Sequence, residues 1–288
     1  MKFLLYSFCW LCLPLGALTR TLYPLNLEPI DVVIPCCDKD LETLELCIQG
    51  IRRYGENIRR IIVVSKERYT GLAEWFDESL YPFSKELIAL EIFKQNQTKA
   101  KEFLNHPKTR IGWIYQQFLK LYAPFVIPHI SSNVLILDAD IIFLNPIAFM
   151  NENGEPYFTI ADEYHLPYFS HMARLLPSSK RAEKKYSGVA HHMLFQKPIL
   201  EDLHEIIRGC HQVEVWKAFC RCISPKDLYF SSFSEYEVYF NFALLRTTQA
   251  HPRQLLWGNT SSVEKSDLEK YAALGYKYVA SHSYARGP

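Results

Sequence analysis

The chain has 288 residues, 49% hydrophobic and 22% charged, with a formal net charge of +1. That balance excludes a disordered chain and suffices for one large domain with its own core. No basic block marks a nucleic-acid partner.

Lys2 precedes an uncharged run from Phe3 to Thr19, which Arg20 ends. This matches a secretory signal peptide with small residues Gly16 and Ala17 near a candidate cleavage point, and it also lies at the lower edge of a membrane anchor. The expectation is an exported or membrane-associated protein, with residues 1–19 as leader and a folded domain over 27–285. Six cysteines lie beyond the leader, namely Cys36, Cys37, Cys47, Cys210, Cys220 and Cys222. Export would permit disulfides, whereas Cys220-Arg-Cys222 lacks the spacing of a zinc knuckle.

Ile30–Ile34 reads as an apolar strand stopped by Pro35. Asp40–Tyr54 reads as a helix with Leu41, Leu44, Leu46, Cys47 and Ile51 at helical spacing, capped by Asp38 or Asp40. Arg60–Ser65 is a second strand and Leu87–Phe93 a third, so the first third of the chain predicts a βαβ unit and a parallel sheet. Gly112–Ala123 predicts a helix ended by Pro124 and Pro128. It sets Trp113, Gln117 and Lys120 on one face and Ile114, Phe118 and Leu121 on the adjoining, core-facing one.

The most informative segment follows, Val134-Leu-Ile-Leu-Asp138-Ala-Asp140-Ile-Ile-Phe-Leu-Asn-Pro146. A short continuous apolar run reads as a fully buried strand, and open α/β sheets bind ligands at the carboxyl ends of such strands. In extended chain, Asp138 and Asp140 point to one face. Two hard oxygen ligands would then converge, as Mg²⁺ or Mn²⁺ carrying substrate phosphates requires. The plainer reading is that one aspartate caps a turn and the other is solvated.

Tyr157–Ala161 is a further strand, and residues 163–186, rich in Tyr, His, Lys and Arg, read as a loop or lid. Val189–Phe195 is strand-like, so His191 and His192 point to opposite faces and only one can line a site. Leu200–Gly209 is a helix. Ser234–Arg246 is another, with Ser234 as N-cap and Glu237 placed for a capping box. Tyr276–Ser283 closes the chain as a short strand and turn.

Taken in order, Val-Val-Ile-Pro with Lys39-Asp40, Gly-Trp-x-x-Gln-Gln-Phe-Leu-Lys, Leu-Asp-Ala-Asp, His-His-Met, Ser-Glu-Tyr-Glu and a late Ser-His-Ser resemble a GT-A-type glycosyltransferase over about residues 30 to 285. The resemblance implies a Rossmann-like α/β fold with a mostly parallel central sheet flanked by helices. It also implies a nucleotide-sugar donor, a glycan, lipid or protein acceptor, and Mn²⁺ or Mg²⁺. On it, Asp138 and Asp140 match the metal and nucleotide motif. Pro35 to Asp40, Lys39 included, match the first-strand loop that meets base and ribose. Lys120 matches a lysine on the helix before the metal strand, and His282 a late histidine joining metal or diphosphate. No Gly-rich phosphate loop follows the first strand, so a dinucleotide-binding reading fails.

Glycosyl transfer with inversion needs a base near the acceptor hydroxyl. Glu237, Glu235 and Asp162 are the candidates, although carboxylates at a helix start are favoured by its dipole in any case. Two other readings compete. An Asp-nucleophile phosphatase requires Thr or Val where Ile142 stands, and a non-catalytic sugar-binding protein leaves the aspartate pair without a use.

Overall fold

A computed structural model describes residues 19–177 and 179–286; all of the expected leader except Thr19 lies outside them. In chain order the elements are β1 (Ile30–Pro35), α1 (Leu41–Tyr54), β2 (Ile58–Ser65), β3 (Glu74–Asp77), α2 (Lys85–Ile92), α3 (Gln97–Asn105), α4 (Ile111–Val126), β4 (Asn133–Leu137), β5 (Ile141–Phe143) and β6 (Tyr157–Thr159). There follow α5 (Leu166–Leu175), β7 (His192–Gln196), α6 (Lys197–His211), α7 (Val215–Arg221), α8 (Glu235–Arg246), β8 (His251–Arg253), β9 (Trp257–Asn259), α9 (Lys265–Ala273) and β10 (Tyr278–Ala280).

The central sheet runs β3-β2-β1-β4-β7. All neighbours are parallel except β7, which is antiparallel to β4. Every residue of β1 is buried, as a central strand covered on both faces demands. Its side chains alternate between two cores. Val33 joins Phe118, Ile136 and Phe195 on one face, and Val32 and Ile34 join Leu44, Ile48 and Leu135 on the other. Helix α1 covers the second face and α4, α6, α7 and α8 the first. This is the expected α/β fold with a mostly parallel sheet flanked by helices.

Four sequence expectations change. Pro124 does not end α4: the helix carries it inside and runs on to Val126. Leu87–Phe93 is not a strand. It lies largely in α2, because Ser84 caps that helix by accepting from the Leu87 N–H at 3.3 Å, and a short apolar run does not by itself distinguish strand from buried helix. The third strand is Glu74–Asp77, paired parallel with β2. Residues 163–186 are not all loop. Helix α5 forms within them, started by Pro167 in its first turn and anchored by buried Met172 and Leu175. The Val134–Pro146 run is not one strand. It breaks at the aspartates, and β5 leaves the central sheet to pair antiparallel with β10, which pairs parallel with β9.

The segment before β1 packs on the body. Tyr23 is buried, its hydroxyl donates to Asp202 Oδ2 at 2.5 Å, and Arg246 binds the same carboxylate. No helix among the described residues is long and apolar enough to cross a membrane.

Candidate metal and nucleotide site

Strands β1, β2 and β3 step to one side of the sheet, and the chain then returns to place β4 on the other side of β1. The carboxyl ends of β1 and β4 therefore flank a topological switch point, where an open α/β sheet leaves a crevice for ligands. The turn after β1 is Cys36–Asp40, and the turn after β4 is Asp138–Asp140. The aspartates converge because of this turn rather than by strand alternation; Asp138 O accepts from the Ile141 N–H at 3.4 Å.

Asp138 Oδ1 accepts from Lys120 Nζ at 2.5 Å, and its Oδ2 lies 3.3 Å from His191 Nδ1. Asp140 Oδ2 lies 2.8 Å from His282 Nδ1, while the buried Oδ1 has no hydrogen-bond partner among the described residues. One ligand atom each from Asp138, Asp140 and His191 lies within 4.8 Å of the others. Two carboxylates and an imidazole fit Mn²⁺, and the oxygens also suit Mg²⁺. An orphaned buried carboxylate oxygen is the feature a cation would complete.

Burial would raise the Asp138 carboxyl, but Lys120 and then His191 outweigh it and hold the group below the usual carboxylate range. Burial pushes the Glu235 carboxyl up, with Lys120 opposing. The hydrogen bond to Asp140 raises the His282 imidazole. Asp40 is raised by burial, against Lys39, whose Nζ is 3.4 Å from its Oδ2.

Of the sequence candidates, Lys39, Asp40, Lys120, Asp138, Asp140, Glu235 and His282 line one cavity of about 290 Å³. Pro35 and Lys39 line an adjoining cavity of about 410 Å³, with Trp113, Tyr115, Lys66 and Tyr69 around it. Asp38 and Asp40 make no side-chain cap on α1. Instead Asp38 accepts from Tyr69 at 2.5 Å and from Lys66 at 2.9 Å.

Two candidates stand outside the cluster. Asp162 is exposed and lines neither cavity. Glu237 is buried in the first turn of α8 and accepts from Ser187 Oγ, the Gly188 N–H and Asn241 Nδ2. Ser234 caps α8 by accepting from the Glu237 N–H at 3.2 Å, but the Glu237 carboxylate turns to residues 187–188 rather than closing a capping box.

Among the cluster residues, the one that local sequence could not assign is His191. Its backbone is left-handed, with φ 64°, and its carbonyl accepts from the Asp138 N–H at 2.9 Å. This turn throws His191 toward the aspartates, while His192 enters the core beside Thr159. The pairing of β7 with β4, a long-range event, brings them together. A larger depression of about 690 Å³ around Arg20, Leu244 and Thr247 holds none of these groups.

No curated protein matches the sequence. Among solved structures, the crystal structure of mouse xyloside xylosyltransferase 1, apo form, is similar with a TM-score of 0.42 and 9% identity, covering 91% of this chain and 99% of that one. The WbbM bifunctional glycosyltransferase apo structure gives 0.43 and 12%, over 90% of this chain and 46% of its own, so this chain spans less than half of that protein. Neither likeness assigns a residue or a substrate here. At the level of sequence families the result is direct: a family model covers residues 28–268, and the chain belongs to the family described as "Family of unknown function (DUF6492)".

Proposed function

We propose that this protein is a divalent-metal-dependent glycosyltransferase that uses a nucleotide-sugar donor. The observation that carries the reading is the Asp138, Asp140 and His191 group at the β1/β4 switch point, with Asp140 Oδ1 buried and unpartnered. The order of motifs along the chain supports it.

In this reading Asp138, Asp140 and His191 hold Mn²⁺ or Mg²⁺. The bound cation supplies Lewis-acid neutralisation of a leaving diphosphate. His282 orients Asp140 through its 2.8 Å contact. The loop Pro35–Asp40 and the aromatic walls Trp113 and Tyr115 shape the adjoining cavity, which takes the base and ribose. The acceptor, whether glycan, lipid or protein, enters from the open side. The uncharged run 3–19 is the one feature in favour of an export route, exported or membrane-associated.

A phosphatase with an aspartate nucleophile fits less well. Ile142 stands where that class of enzyme carries Thr or Val after its second aspartate. The test is a thermal-shift series of nucleoside diphosphates and nucleotide sugars with and without Mn²⁺. A ligand that binds the folded state raises the melting temperature by mass action. The expected result is a shift that needs nucleotide and Mn²⁺ together. No shift with any nucleotide would overturn the reading.

A further inference from the structure

We infer that Glu235 is a positioning residue that keeps Lys120 from competing with the cation for Asp138. The inference rests on the metal reading above and deepens it.

Lys120 is 2% exposed, and its ammonium lies 2.5 Å from Asp138 Oδ1, 2.7 Å from Glu235 Oε1 and 4.4 Å from the centre of the Tyr236 ring. Glu235 is 1% exposed. A buried carboxylate is costly unless it is paired, and Lys120 is the cation that pairs with it. Asp138 and Asp140 alone offer a divalent cation two negative charges. An ammonium on Asp138 without a counter-charge would cancel one of them and repel the incoming ion at short range. Glu235 restores the balance: Asp138 and Glu235 share the single ammonium, and with Asp140 alongside Asp138 the group keeps an excess of negative charge for the metal. Lys120 then fixes the rotamer of Asp138 without neutralising the site.

The geometry argues against Glu235 as the base that activates an acceptor. Its carboxylate is enclosed and held by Lys120 at the root of α8, where an acceptor hydroxyl would have to displace a buried ion pair. Partners one step removed from a metal commonly alter its affinity by about 10- to 100-fold when replaced.

The experiment is a Mn²⁺ titration of the full chain, read by loss of the free-ion electron paramagnetic resonance signal, without nucleotide. Four proteins are compared: wild type, Glu235→Gln, Lys120→Met and the double variant. Glu235→Gln is expected to weaken Mn²⁺ by about 10-fold or more, and removing Lys120 in the same chain should restore it toward wild type. The double variant also replaces a buried ion pair with neutral groups of similar size, a change that folds tolerate. It therefore gives a folded reference if the single variant is unstable, and affinity still lost in the double variant overturns the inference. Unchanged Mn²⁺ affinity in folded Glu235→Gln with lost turnover would make Glu235 a base and overturn the positioning role alone. Absence of Mn²⁺ binding by wild type would overturn the metal reading and this inference with it.

Discussion

His282 and Asp140 are joined by a 2.8 Å contact across 142 positions of sequence. The segment after β10 is thereby fastened to the turn after β4, an attachment repeated by the Ser281 N–H, which donates to the Asp140 carbonyl at 2.8 Å. His282 is thus a partner of a metal-ligand candidate even where it is not a ligand itself. His282→Ala should weaken Mn²⁺ by about 10- to 100-fold. The ring is only partly buried and makes one side-chain hydrogen bond, to Asp140, so the melting temperature without metal should move by about 2–4 °C, the scale of 1 kcal/mol in a chain of this size. Calorimetric titration and a melt of the same sample check both.

Asp140→Asn tests the cation directly. The amide can keep a hydrogen bond to His282, so the fold should survive, as circular dichroism would show. The neutral side chain loses the charge that a divalent ion requires. Mn²⁺-dependent nucleotide binding should disappear. Binding that stays at the wild-type level would exclude Asp140 from the metal site.

The parts of this fold legible in sequence were those written locally. The unbroken apolar run Ile30–Ile34 announces a central strand, and Ser234 announces the start of α8. The pair Asp138/Asp140 announces a candidate metal site because two carboxylates stand inside hydrophobic sequence. What stayed hidden depends on long-range pairing. Glu74–Asp77 is a strand only because β2 offers it an edge. His191 joins the aspartates only because β7 runs antiparallel to β4 and the backbone turns left-handed at that residue. The run 134–146 conceals its own break, since Ile141–Phe143 is as apolar as β4 and pairs elsewhere.

The N-terminal attachment gives a prediction about where the fold begins. Tyr23 is buried and holds Asp202, and the Thr21 N–H donates to the Arg246 carbonyl at 2.7 Å. A chain lacking residues 1–18 should have the same urea midpoint as the full chain. A chain lacking residues 1–25 removes the Tyr23 ring from the core and should lose about 3 kcal/mol or more, the scale of a large aromatic truncation. Equal midpoints for the two shortened chains would show that Tyr23 contributes nothing.

Acid sensitivity should come from buried histidines. His171, His192 and His204 are each pushed down to about 3 by burial, against about 6.5 in an unfolded chain. Between these values the unfolded state binds more protons, so stability rises with pH. It is fully present above about 6.5 and is lost as pH falls toward 3. His282 runs the other way, because its hydrogen bond to Asp140 raises it. Its contribution is present below the ordinary histidine value and lost as pH rises through the folded one, and the carboxyls of Asp40, Glu235 and Glu237, raised by burial, run the same way. The histidine effect is therefore read by difference: between pH 7.5 and 5.5 the change in urea midpoint of His192→Gln should be shifted toward a smaller loss than that of wild type. The same pH dependence in both proteins would contradict neutral burial of His192.

Glu237 offers the cleanest separation of a structural carboxylate from a chemical one. Its Oε2 accepts from Ser187 Oγ at 2.7 Å and from the Gly188 N–H at 3.1 Å, and its Oε1 accepts from Asn241 Nδ2 at 3.1 Å. Burial raises the carboxyl, and these donors oppose the rise. Gly188 lies so close to α8 that a Cβ there would meet the Phe240 side chain at 2.5 Å, so the segment carrying His191 is both packed and tied at this point. In Glu237→Gln one oxygen still serves Ser187 and Gly188, while the new amide nitrogen faces the Asn241 donor. The expected cost is about 1–2 kcal/mol, that of one hydrogen bond lost in a buried place. In Glu237→Ala the Gly188 N–H also loses its partner, adding about 1–3 kcal/mol. Turnover per folded molecule and Mn²⁺ affinity should both hold in the glutamine variant. A base removed from the reaction would instead cost about 10²-fold or more in rate with the fold intact. Measuring the urea midpoint and the transfer rate of Glu237→Gln side by side decides between them, because the structure predicts that only the first will move.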